Sequence, residues 1–262
     1  SILGYMKKDE IYSKTQSGSF ENDYYSSSYI DIRYKARAKD IMGSIPYLQN
    51  PDDNGMTVMW LTNVPCRSWI EYGTDSVNMK PVRCFTDGIM TANNKVNRIR
   101  LTGLKPGTKY YYRVISQEIT LYSSYYKEFG DTVRSAIKSF TTWDKNKDSF
   151  RMLVFNDIHR NLNMFKKLFS QVNKEPYDLV VFNGDCFDDL EKEKDLTNSL
   201  TTYTSIIKND EIPSVFIKGN HENRGKYSPY IMNYIEQKGN ASYGAFNLGD
   251  TRFVLLDAGE DK

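Results

Sequence analysis

The hydrophobic period of this chain changes once, across the charged stretch "DKNKDS" at residues 144–149, and that change restricts the fold more than any other feature. Upstream, apolar residues fall in short alternating runs broken by turn residues: "MTVMWLT", "SWIEYG", "VNRIRLTGL", "KYYYRVIS" and "AIKSFTTW". A period of two places successive side chains on opposite faces of a strand, and several such strands without a helical run describe a β-sandwich. Downstream, "FRMLVF", "YDLVVFNGD" and "SVFIKGN" are compact apolar runs of the kind that form buried strands. Between and after them, "NLNMFKKLFSQVNK" at 161–174 has helical spacing, and helices are predicted around 195–208 and 229–237, before two final strands, "YGAFNL" and "TRFVLLDAG". The chain therefore divides into a polar arm at 1–40, in which only 29–38 alternates like a strand, an all-β sandwich at 41–143, a linker at 144–149, and an α/β unit at 150–262.

Composition narrows the function classes. Aromatic residues make up 14% of the chain, 20 of them tyrosines, which favours sheet surfaces. Lys and Arg number 35 against 33 Asp and Glu, a net charge of +2 without a basic stripe, so nucleic acid is not an expected partner. No apolar run approaches the roughly 18 residues of a membrane span. Three cysteines are too few for a thiolate cage: Cys66 and Cys84 are either one disulfide or two buried thiols on neighbouring strands, and Cys186 packs into the core.

Chemistry is concentrated at three strand ends. The chain has two histidines, His159 and His221, and both lie just beyond hydrophobic runs. The first strand ends in Asp157-Ile158-His159, the second in Gly184-Asp185 and the third in Gly219-Asn220-His221-Glu222. In α/β sheets, ligands gather at the carboxyl ends of adjacent strands, and glycine before Asp185 and before Asn220 lets the backbone turn into a shared crevice. Carboxylate, amide and imidazole donors together suit a metal such as Mn, Fe or Zn. Arg224 is either an anion clamp, its planar guanidinium matching two oxygens at once, or a surface arginine, and Glu222 is a supporting partner rather than a ligand.

Two family resemblances rest on these residues. "LTGLKPGTKYYYRV" at 101–114, with Leu104 tucked in and Tyr110, Tyr112 and Val114 on one face, resembles the fibronectin type III signature. "PYLQNP…MTVMW" and "SFTTW" resemble the opening and close of the purple acid phosphatase N-terminal domain. The Asp-x-His, Gly-Asp and Gly-Asn-His-Glu blocks resemble the calcineurin-like metallophosphoesterases, which implies an αββα fold of which this chain carries only the first half.

Much follows from that resemblance about the site. It implies a dinuclear centre, with Asp157 and His159 on one divalent or trivalent ion (Fe, Mn or Zn), Asp185 bridging and Asn220 on the other. It gives His221 the role of proton donor to the leaving oxygen or of phosphate contact, with Asp188 of "GDCFD" holding its imidazole and favouring the protonated form; Arg224, read as the clamp, is then a substrate contact through a phosphate oxygen. The implied reaction is hydrolysis of a phosphorylated small molecule, most readily a phosphomonoester, by water activated between the metals, in a secreted or periplasmic protein. Purple acid phosphatases carry tyrosine where Asp188 stands and glycine where His159 stands, so this protein is expected not to be purple. Further histidines that complete the family's site are expected from a C-terminal part of the same protein. The competing expectation is a non-catalytic extracellular binding or adhesion module with a degenerate phosphoesterase unit.

Overall fold

A computed structural model of the protein describes residues 11–20, 23–32, 38–172, 175–237 and 241–257, the first two spans as backbone only. Strands β1 (Ile11–Phe20) and β2 (Asp23–Ile32) pair antiparallel as a hairpin. The expected strand at 29–38 is thus the end of a longer one, and its residues 33–37 lie outside the described residues. A single helical turn, α1 (Ala38–Ile41), precedes the β-rich domain.

That domain comprises β3 (Tyr47–Gln49), β4 (Met56–Gly73), β5 (Lys80–Val82), the short pair β6 (Phe85–Thr86) and β7 (Ile89–Met90), β8 (Ala92–Leu101), β9 (Lys109–Tyr122), β10 (Lys127–Arg134) and β11 (Lys138–Thr141). The runs "MTVMWLT" and "SWIEYG", expected as two strands, are one. The first part of β4 pairs with β3 and β8, and the second part with β9 and β5. Register breaks between Leu61 and Arg67 mark the change of partner, in the stretch that holds Pro65, which lacks a ladder N–H. One strand therefore serves both layers, and Leu48, Met56, Val58, Trp60, Ile70, Tyr112, Val114 and Phe140 fill the space between them. Leu104 is buried there too, and Tyr110 Oη accepts from Lys105 N at 2.9 Å, closing the predicted turn.

The α/β domain runs β12 (Met152–Phe155), α2 (Leu162–Ser170), β13 (Leu179–Asn183), α3 (Glu193–Ile206) and β14 (Ser214–Ile217), then a hairpin of β15 (Gly244–Leu248) and β16 (Thr251–Leu255). Strands β12, β13 and β14 are parallel neighbours. Val180, Phe182 and Phe216 face the helices, whereas Leu179, Val181 and Val215 face the hairpin, so β13 is covered on both sides. The expected helix near 229–237 is instead a 3₁₀ segment at Ser228–Asn233. "FRMLVF" is less buried than predicted: Val154 is 50% exposed, because β12 pairs only with β13 among the described residues.

The two domains share a core. Every residue from Met56 to Thr62 is buried, because the face of β4 turned away from the sandwich packs Met59 and Leu61, with Tyr47, against Phe216, Tyr234 and Ile235 of the α/β domain. A surface strand would have alternated apolar with polar; this one is sandwiched between two cores. Gln49 of β3 pairs with Ser214 of β14, carrying the sheet across the boundary. Tyr47 Oη donates to Tyr234 O and Tyr112 Oη to Asp210 O, each at 2.8 Å, and Arg98 pairs with Glu236 at 3.1 Å. The helices and the β-rich domain thus hold the three parallel strand ends in fixed relation.

Candidate active site

The loops after β12, β13 and β14 interlock through the backbone. Asp157 N donates to Gly184 O (3.2 Å), His159 N to Asp185 O (3.0 Å) and Arg160 N to Cys186 O (3.1 Å). Among the described residues eight non-glycine residues have positive φ, and four of them are Asp157, His159, Arg160 and Asp185. Left-handed backbone is costly away from glycine and persists where surrounding contacts enforce it, as at functional sites. The two glycines act differently from one another. Gly184 has φ +80°, the turn expected of it, whereas Gly219 is demanded by space: a Cβ there would lie 2.2 Å from Asp185 Oδ1.

Glu222 locks this arrangement. It is 2% exposed; its Oε2 accepts from Asp185 N (3.0 Å) and Gly219 N (2.7 Å), and its Oε1 accepts from Phe187 N (2.9 Å). A buried carboxylate with three backbone donors is well satisfied, and it ties the second loop to the third. Both of its oxygens are taken up by these backbone donors.

The functional side chains meet at the mouth of these loops. Asp157, His159 and Asp185 each offer a ligand atom, and the three atoms lie within 4.8 Å of one another. His159, Asp188 and His221 form a second such group. The two imidazoles meet edge to face, with centroids 4.4 Å apart. His221 Nδ1 is 3.3 Å from Asp188 Oδ1, and Asp189 Oδ1 is 3.8 Å away. Partial burial opposes ionisation of Asp188, yet the Asp189 backbone N–H, the Arg160 guanidinium and the His221 ring together hold its carboxyl below the usual carboxylate range.

Asp185 also organises the third loop. Its Oδ1 accepts from His221 N at 3.0 Å, and Asn220 donates its amide to Oδ2 at 3.1 Å. Asn220 in turn accepts from Arg224 Nη2 at 2.7 Å, while Arg224 Nη1 lies 2.9 Å from His221 Nε2. The same Nη1 lies 3.3 Å from His221 Nδ1, so the guanidinium lies over the imidazole rather than on one ring nitrogen, and Nδ1 faces Asp188. All seven residues singled out from the sequence, Asp157, His159, Asp185, Asp188, Asn220, His221 and Arg224, are brought together. Arg160 was missed: a basic residue one position after His159 carries no signal until Asp188 and Asp195 are seen beside it, at 3.7 and 3.1 Å.

Cys186 is not part of this chemistry. It is 1% exposed, and burial, then the carboxylates of Glu222, Asp185 and Asp157, push its thiol well above the ordinary value. Cys66 is buried as well, its thiol pushed up to about 11 by burial, whereas Cys84 is half-buried and all three are free thiols. Brief iodoacetamide treatment of the folded protein is therefore expected to label Cys84 first, leaving Cys66 and Cys186 unlabelled by peptide mass. Early labelling of Cys186 would contradict this burial.

Residues 45–142 match the purple acid phosphatase N-terminal domain, and residues 150–260 match the calcineurin-like phosphoesterases. Acid phosphatase type 7 of Homo sapiens is 28% identical over 193 residues, covering 70% of this chain and 41% of that protein. Its Mus musculus counterpart is 26% identical over 194 residues, with 71% and 41% covered. This chain thus spans about 41% of the length of the curated relatives it matches. Of the solved structures, a purple acid phosphatase from yellow lupin (Lupinus luteus) seeds matches with TM-score 0.60 and 14% identity, over 81% of this chain and 45% of that one. PhoD matches with TM-score 0.57 and 13% identity, over 86% and 53%. These two are likenesses of fold. No helix among the described residues is long and apolar enough to cross a membrane. The α/β unit at residues 150–260 is thus of the calcineurin-like phosphoesterase family, and the β-rich unit ahead of it, residues 45–142, is of the purple acid phosphatase N-terminal type.

Proposed function

We propose that the complete protein hydrolyses phosphoesters in a metal-dependent reaction, with phosphorylated small molecules, phosphomonoesters foremost, as substrates. The observation that carries this reading is the convergence of Asp157, His159 and Asp185 within 4.8 Å, beside a histidine held by its own carboxylate. Two carboxylates and an imidazole, with no thiolate, suit Fe, Mn or Zn, so the donor set fits a cation of this kind. In this reading Asp157, His159 and Asp185 would hold one cation, and Asp185 with Asn220 would contribute to a second. Bound cations would neutralise phosphoryl oxygens and make a nearby water more acidic.

The chain's own residues supply the rest. Asp185 fixes the third loop by accepting from His221 N and Asn220. Arg224 has its donors aimed at the mouth of the site and transfers them to phosphate oxygens when substrate enters. His221, held from Nδ1 by Asp188, in its imidazolium form gives its proton to the leaving oxygen. Asp188 stands where purple acid phosphatases place tyrosine, so the metal-loaded protein lacks their tyrosinate colour in our reading. We also assign the fibronectin-like β-rich domain and its partner to an exported protein, which cell fractionation tests.

Hydrolysis of a chromogenic phosphate ester by the full protein is expected to vanish on treatment with a strong chelator and to return with Mn, Zn or Fe. Hydrolysis indifferent to chelation would remove the metal from the account. A protein inert under all metals would return function to the β-rich domain as a binding module.

A further inference from the structure

Resting on the phosphoesterase reading, we propose that Arg160 is a positioning residue for proton transfer: its guanidinium sets where Asp188 stands and, through Asp188, how His221 is turned. Arg160 is held at φ +57° by the same loop that places His159, and its N–H donates to Cys186 O at 3.1 Å. From this anchored backbone the side chain reaches two carboxylates at once. Nη1 lies 3.1 Å from Asp195 Oδ1, and Nη2 lies 3.7 Å from Asp188 Oδ2.

The two carboxylates differ in rigidity. Asp195 sits in the first turn of α3, where its Oδ2 accepts from Lys192 N at 2.8 Å and from Glu191 N at 3.1 Å. It is a fixed post, with Oδ1 left for Arg160. Asp188 lies in the irregular segment before α3, and its two oxygens are divided: Oδ2 faces Arg160 and Oδ1 faces His221 Nδ1 at 3.3 Å. The series Asp195, Arg160, Asp188, His221 therefore joins the start of α3 to the proton donor through two separate loops. A guanidinium reaches the two carboxylates from two nitrogens fixed in one plane, whereas an ammonium offers a single nitrogen on a flexible stem. Arg160 and Asp188 are 32% and 38% exposed, so this ion pair contributes little to folding stability. What it supplies is orientation.

Orientation of an acid matters in proportion to how much the leaving group needs a proton, and that dependence separates a positioning role from a structural one. The experiment measures kcat and KM of the full protein on two phosphate monoesters, one with an activated aryl leaving group and one with an alkyl leaving group. Variants Arg160→Gln and Arg160→Lys are compared with His221→Ala and Asp188→Asn. Misplacing a general acid forfeits part of the hundredfold or more it contributes. Arg160→Gln is therefore expected to lose about tenfold in kcat on the alkyl ester and less than about twofold on the aryl ester. KM is expected to be unchanged, and Arg160→Lys to be intermediate.

Equal losses on both esters, no loss on either, or a change confined to KM would overturn the proposal. Should Arg160→Gln fold poorly, Arg160→Lys carries the same comparison. If the wild-type protein hydrolyses neither ester, the phosphoesterase reading falls and this proposal with it. If the wild type is active but His221→Ala shows no leaving-group dependence, the proton-donor pair falls while the phosphoesterase reading stands.

Discussion

Asp185→Asn is expected to lower kcat/KM for phosphoester hydrolysis by about 10³-fold, roughly 4 kcal/mol of transition-state stabilisation, while leaving the fold intact. The substitution is isosteric, so the left-handed turn at φ +50° and the hydrogen bond from Asp185 N to Glu222 both persist. Lost instead are a negative charge and an acceptor. The carboxylate accepts from His221 N through Oδ1 and from Asn220 through Oδ2, and an amide would turn an NH2 group toward one of these donors. It would also weaken a site whose other donors are Asp157 and His159, within 4.8 Å. Steady-state kinetics on a chromogenic ester, with an unfolding temperature for each protein, checks both halves. Activity within tenfold of the parent would show that Asp185 is not shared between cations and that the site is misassigned.

Glu222→Ala is expected to produce the largest loss of stability of any substitution near the site, about 3–5 kcal/mol. The carboxylate is buried and accepts from three backbone N–H groups, those of Asp185, Phe187 and Gly219. Removing it leaves three donors without a partner, at roughly 1–3 kcal/mol each where water cannot reach them. Against a total stability of about 5–15 kcal/mol this is a large fraction, equivalent to roughly 10 °C in Tm. Glu222→Gln keeps one carbonyl acceptor and should fall between. Calorimetry or thermal denaturation decides, and a shift under about 2 °C for the alanine variant would mean that the loops are held together by something other than this side chain.

What the sequence disclosed, and what it did not, follows from how local each feature is. Asp157, His159, Asp185 and Asn220 were legible because each directly follows an apolar strand, and parallel strands deliver their ends to one edge. Asp188 and His221 were paired by family resemblance, and they lie 3.3 Å apart. The bend of β4 was not legible. Its two halves each look like an independent strand, and only the switch of partners from β8 to β9 shows them to be one. Nor was the shared core, since Tyr47, Met59 and Leu61 become interior only when the α/β domain covers them. Arg160 was invisible for a related reason: its meaning depends on Asp188 and Asp195, which are distant in sequence and come beside it only in the fold.

The overpredicted helix near 229–237 shows the limit of periodicity. Pro229 near the start of the segment fits a helical first turn, yet the chain holds only a 3₁₀ segment at Ser228–Asn233. It then delivers Tyr234 and Ile235 to the common core. Tertiary packing set that geometry.

Anomalous diffraction from crystals of the full protein grown with manganese shows whether the ends of β12, β13 and β14 hold a catalytic cation. An anomalous peak is expected about 2.0–2.2 Å from donor atoms of Asp157, His159 and Asp185. A peak elsewhere in the molecule, or none at these strand ends at saturating metal, would contradict it.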